Sequence, residues 1–113
     1  MLKIGQIALA GGMWNGEEVV PAEWVKRATT ALVAIDRHRS YGYHWYIGDI
    51  TAGAPLQALH WVGGIGWGGQ RLFVFPLLEL VVAMNCGNYR KSGLEQNRVN
   101  NVVLTEVVLP SFV

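Results

Sequence analysis

The chain has one cysteine, Cys86, among 113 residues, so it can form no internal disulfide and offers no cysteine-based metal site. Cys86 reads as a small buried hydrophobe. Charge is scarce and balanced, nine Lys and Arg against eight Asp and Glu, for a formal net charge of +1. Nothing in that balance attracts nucleic acid or an anionic membrane surface. Long apolar runs are also missing: no stretch approaches the roughly 20 residues of a membrane span. Serine is rare, and Ser40, Ser92 and Ser111 lie neither in a Gly-x-Ser-x-Gly elbow nor at the head of a Ser-x-x-Lys pair. A nucleophile is therefore missing. His38, His44 and His60 lack metal-ligand spacing, and Asp36, Asp49, Glu79 and Glu106 form no recognisable acid/base pair, so neither metal nor cofactor is expected. At the start, Lys3 and Ala8-Leu9-Ala10 imitate a signal peptide and its cleavage site, but Gly5 and Gln6 interrupt an apolar region that is already too short. The single cysteine leaves the compartment open, and without a convincing signal peptide the chain is cytoplasmic only as found. No repeat, low-complexity tract or linker divides it, so residues 1–113 read as one domain.

What is abundant is apolar surface: 51% of the residues are hydrophobic, with five tryptophans and 14 glycines. For one small domain this predicts apolar surface that needs a partner. Ile4, Ile7 and Ala8 share a helical face that Gly11-Gly12 terminates. Asn15-Gly16 marks a turn, and Pro21 opens a second helix, "PAEWVKRATT", with Glu23 and the pair Lys26-Arg27 placed to suit its dipole. A polar link, "IDRHRS", follows.

"YGYHWYIG" predicts a strand with Tyr41, Tyr43 and Trp45 on one face and His44 and Tyr46 on the other, and "GDITAGAP" a loop. In "RLFVFP", Leu72 and Val74 alternate with Phe73 and Phe75, and "LELVVAMN" alternates likewise, so both faces of this hairpin need cover. The last segment carries Val99, Val103 and Val107 at helical spacing behind a Ser92-x-x-Glu95 capping box, which predicts a terminal helix laid on the sheet by its apolar face. The expected fold is α+β, an antiparallel sheet of about three strands flanked by N- and C-terminal helices.

The mixture "HWVGGIGWGGQRLFVFP", His60 to Pro76, is the chain's most unusual stretch. A phosphate loop would need a helix after its glycines, with Lys-Ser/Thr or a distant acid to match; here a strand follows. A glycine-rich hairpin with close backbone approach is the plain alternative. Lys91-Ser92-Gly93 has the letters of a Lys-Thr/Ser-Gly element, but it sits in a polar segment where the capping role of Ser92 explains it better.

The order "LKIGQIALAGGMWNGEEVVPAEWVKRAT", "YGYHWYIGD", "GWGGQRLFVFPLLELVVAMNCGNY" and "VVLTEVVLP" resembles the C-terminal part of the serine β-lactamase-related hydrolases. That family includes class C β-lactamases, penicillin-binding carboxypeptidases, esterases and 6-aminohexanoate-dimer hydrolases. The resemblance implies a partial fold of that type, beginning within an internal helix. It also implies acyl transfer to water on amide, ester or β-lactam substrates in an intact enzyme. Of the family's three elements, Ser-x-x-Lys and Tyr-x-Asn/Ser occur nowhere here, so the chain alone is expected to be inactive. The third, Lys-Thr-Gly, falls on Trp61-Val62-Gly63 by a gapless count from Pro76, or on Gly64-Ile65-Gly66 by the "GWGGQ" form. Either way its lysine is replaced, with His60 the one substitute. Gly64 or Trp67 would then supply a backbone oxyanion donor. The resemblance leaves three alternatives open: an inactive fragment that self-associates or swaps domains, one half of an enzyme completed by an N-terminal partner chain, or a binding or scaffold module.

Overall fold

The computed structural model describes all residues, 1–113. Helix α1 runs over Leu2–Leu9 and stops where Gly11 and Gly12 take φ of +65° and +98°. Two short strands, β1 (Met13–Trp14) and β2 (Glu17–Glu18), close around Asn15-Gly16, and both turn residues have the positive φ that a tight hairpin turn of this kind requires. Helix α2 (Ala22–Ala28) follows Pro21, with Glu23 in its first turn and Lys26 and Arg27 in its last.

The rest of the chain builds one antiparallel meander of six strands: β3 (Val33–Ala34), β4 (Arg39–Tyr41), β5 (Tyr46–Ala52), β6 (Gln57–Gly66), β7 (Gln70–Phe75) and β8 (Leu80–Met84), in that spatial order. The α+β class holds, but the sheet has six strands where the sequence suggests three. "YGYHWYIG" is not one strand. Gly42 N–H donates to Trp45 C=O at 2.8 Å and His44 takes φ +62°, so the chain reverses there and Tyr41 faces Tyr46 across the turn, rings 4.8 Å apart. "GDITAGAP" is not simply a loop, because β5 runs through Ala52 against a β6 long enough to pair with all of it. Part of the polar link also joins the sheet, as Arg39 and Ser40 of β4.

Alternation along β6 and β7 divides the core into two layers. On one face, Ile47, Val62 and Val74 pack with Leu9 and Val81 beneath α1, whose Gly5 rests on Val81 and Leu72. On the other, Ala52, Leu59, Trp61, Phe73 and Phe75 pack against Leu104 and Leu109, both fully buried. Each such leucine contributes about 1.5–3 kcal/mol of burial.

Helix α3 (Gly93–Val102) covers this second face, continues as a wider π-type segment over Val103–Val108, and ends in a tight turn at Leu109–Ser111. The capping box forms as its sequence predicts: Glu95 N–H donates to Ser92 Oγ at 3.2 Å and Ser92 N–H donates to Glu95 Oε2 at 3.2 Å. The packed face is a different one. Val99, Val103 and Val107 are exposed, at 42%, 37% and 65%, whereas Gln96, Asn100 and Leu104 are buried. Leu104 and Leu109 stand five residues apart, about 140° around a regular α-helix. The wider π turn brings both onto the sheet side.

Both outer strands are open edges, since β3 pairs only with β4 and β8 only with β7. No helix is long and apolar enough to cross a membrane.

Candidate functional site

The glycine-rich stretch is the long central strand β6 followed by a turn at residues 67–69. Its β5 ladder ends at the Tyr46–Gly63 pair, while its β7 ladder continues to Gly66. Gly64, Ile65 and Gly66 therefore have a neighbouring strand on one flank only. In the turn, Gly68 and Gly69 take φ of +86° and +91°, a conformation costly for any other residue. Two buried amides hold this turn. Gly68 N–H donates to Gln96 Oε1 at 2.9 Å, and Asn100 Nδ2 donates to Gly69 C=O at 3.1 Å. Gln96 Nε2 also donates to the carbonyls of Asn88 and Lys91, at 3.1 and 2.9 Å. Trp67 is 62% exposed, and its Nε1 donates to Tyr89 C=O at 3.3 Å. Gln70 Nε2 donates to the Cys86 carbonyl.

The residues singled out by sequence thus separate. His60 lies on the α1 face of β6, exposed, its Nδ1 3.1 Å from Asp49 Oδ1 on the paired position of β5. Trp61, the gapless match to the family's lysine, points the opposite way into the core, where its ring lies edge-on to Phe73 at 5.0 Å. It also spreads over Gly48, where a side chain would sit 2.9 Å from the indole. Gly63 lies in the ladder opposite Phe73, and Ile65 faces the α3 side.

On that side the structure opens a cleft of about 530 Å³ between α3, the chain turn at Asp36–Arg39 and the sheet. Ile50, Trp61, Ile65 and Phe73 form its floor, and Asn97, Asn101 and the exposed Leu94 form the helical wall. Two arginines line it. Arg39 is held by Asp36 through Nη2 at 2.8 Å and Nε at 3.1 Å, while Asp36 Oδ1 accepts the backbone N–H groups of His38 and Arg39, both at 2.9 Å. The Arg39 side chain, followed by these backbone donors, holds the exposed Asp36 carboxyl below its ordinary range.

Arg71 differs: it is 4% exposed and has no carboxylate partner. Its Nη1 donates to the carbonyls of Gly66 and Gln70 at 2.9 and 2.7 Å, and its Nη2 to Asn97 Oδ1 at 2.6 Å. Burial lowers its pKa, and the nearby positive charge of Arg39 lowers it further, against opposing contributions from Cys86 and Tyr46. No three His, Cys, Asp or Glu side chains converge as metal ligands would. No Ser, Cys or Lys lines the cleft.

Sequence reasoning missed Arg71, Asn97 and the Asp36–Arg39 clasp. One signal was present, an arginine on the same alternating face as Phe73 and Phe75, where an inward charge needs a reason. No protein-family model matches the chain, and no curated protein matches it.

Proposed function

We propose that the chain is one part of a β-lactamase-related serine hydrolase, inactive by itself, whose active site is completed by a polypeptide carrying the Ser-x-x-Lys and Tyr-x-Asn elements. The open edge of β8 carries this reading: Leu80, Val81, Val82, Ala83 and Met84 are uncharged, half-buried and bonded to β7 alone. Such an edge invites another strand. The open flank of Gly64–Gly66 on β6 is consistent with a backbone donor at Gly64 near the third element. An oxyanion donor there would be worth about 3 kcal/mol in a transition state, but only for a carbonyl already under attack.

The chain alone is expected to leave nitrocefin and p-nitrophenyl esters intact. Mixing it with a polypeptide bearing the two missing elements is expected to restore hydrolysis. Turnover by the isolated chain that a serine-directed fluorophosphonate abolishes would overturn the proposal. One observation favours a second reading, a non-catalytic binding module: the cleft beneath α3 has an apolar floor and a buried, carboxylate-free arginine but no serine, cysteine or lysine.

A further inference from the structure

We propose that the cleft between α3 and the Asp36–Arg39 turn binds a small monocarboxylate with an apolar body, its carboxylate seated on the guanidinium of Arg71. This does not rest on the hydrolase reading. Arginine has five N–H donors, and the protein engages three of those on Arg71, two at Nη1 and one at Nη2. Nε–H and the second Nη2–H remain. They stand on neighbouring nitrogens, the fork that a planar carboxylate accepts with both oxygens. The site is built: the guanidinium is anchored by two backbone carbonyls and by Asn97 Oδ1, and the residue is 4% exposed. A buried cation without a counter-ion is costly, and binding an anion relieves that cost.

The lining also selects the kind of anion. Asp36 neutralises Arg39, whose Nε and Nη2 both donate to its Oδ2, and the Asp49 carboxylate is engaged by His60 on the other face of the sheet. Arg71 is then the one lining arginine without a carboxylate partner, which suits a single negative charge; a dianion such as phosphate would bring a second charge with no partner. Ile50, Trp61, Ile65 and Phe73 offer an apolar floor, and about 530 Å³ accommodates a small molecule.

Phenylacetate and its neutral isostere phenylacetamide are suitable probes, titrated into the full chain and followed by the Arg71 Nε–H and Trp61 indole NMR signals. Saturable binding of phenylacetate with a shifted Nε–H signal, and at least about tenfold weaker binding of the amide, is expected. Equal response to both, or no response up to solubility, would overturn the proposal. Tighter binding of inorganic phosphate than of phenylacetate would overturn the choice of a monoanion. Asn97→Asp serves as the protein-side test, because it keeps the side chain's shape and places an internal carboxylate on Nη2. It should weaken phenylacetate binding at least about tenfold while the fold melts at the same or a higher temperature. Undiminished binding in that variant would place the ligand elsewhere.

Discussion

Replacing Gln96 with methionine tests what holds the glycine-rich turn, because Gln96→Met keeps an unbranched chain of similar length and removes three hydrogen bonds at once. The Gly68 N–H is buried and would lose its acceptor, a penalty of about 1–3 kcal/mol. The carbonyls of Asn88 and Lys91 are only partly buried, so water replaces much of what they lose and together they add about 1 kcal/mol. The total is about 2–4 kcal/mol, a large part of the 5–15 kcal/mol typical of a single domain. In urea, with a slope of about 2 kcal/mol/M, the midpoint read by tryptophan fluorescence should fall by roughly 1–2 M at unchanged slope. Val107→Ser is the control from the face that the sequence had marked as apolar. Val107 is 65% exposed, and its replacement should change stability by less than about 0.5 kcal/mol. If Val107→Ser cost more than Gln96→Met, the helix would be packed by its valine face and the assignment of Gln96 as the turn's anchor would be wrong.

Three further outcomes follow from the geometry. Gly68→Ala forces a side chain into a backbone at φ +86° and against the Tyr89 ring, so it should destabilise by about 1–3 kcal/mol and raise Trp67 accessibility to iodide quenching; an unchanged urea midpoint would contradict this. The Glu95 pKa is lowered, first by the Ser92 backbone N–H and then by the Ser92 hydroxyl, so its stabilising contribution is present above the ordinary glutamate range. That contribution is lost as pH falls through the lowered value; Glu95→Gln should therefore flatten the acid limb of the stability profile below about pH 4.3, and an identical limb in the variant would refute the assignment. With no other polypeptide present, the β8 edge should pair with a second copy, so light scattering should show a mass that rises toward a dimer with concentration. Ala83→Lys, a charge set on that edge, should return it to monomer; a wild-type monomer at the highest soluble concentration would show that the β8 edge does not pair with a second copy.

The local signals in the sequence were legible where chemistry dictates backbone. Asn15-Gly16, Gly11-Gly12 and Ser92-x-x-Glu95 each act through one or two residues, and each does in the structure what its residue types require. The sheet was harder to read because aromatic content hides a reversal. Tyr43, His44 and Trp45 alternate like strand residues, yet the turn is made by backbone geometry at Gly42 and His44 and is selected by the pairing of Tyr41 with Tyr46. The terminal helix misled for a related reason: counting valines assumes that apolar groups decide which face packs. Here two buried amides decide, because the turn at Gly68-Gly69 presents an N–H and a C=O that only Gln96 and Asn100 reach.

The same hydrogen bonds connect the glycine-rich turn to the cleft. Gln96, Asn97 and Asn100 lie on one stretch of α3: Gln96 and Asn100 fix the turn, and Asn97 fixes Arg71. Arg71 in turn caps Gly66 C=O at the last rung of the β6–β7 ladder. A change at the turn is therefore felt at the guanidinium, two residues along β7. Gln96→Met should loosen the hold on Arg71 and weaken phenylacetate binding, though less than Asn97→Asp does, because the Gly66, Gln70 and Asn97 contacts persist. Phenylacetate binding that survives Gln96→Met at full strength, with stability reduced as calculated, would show that the turn and the cleft are held independently.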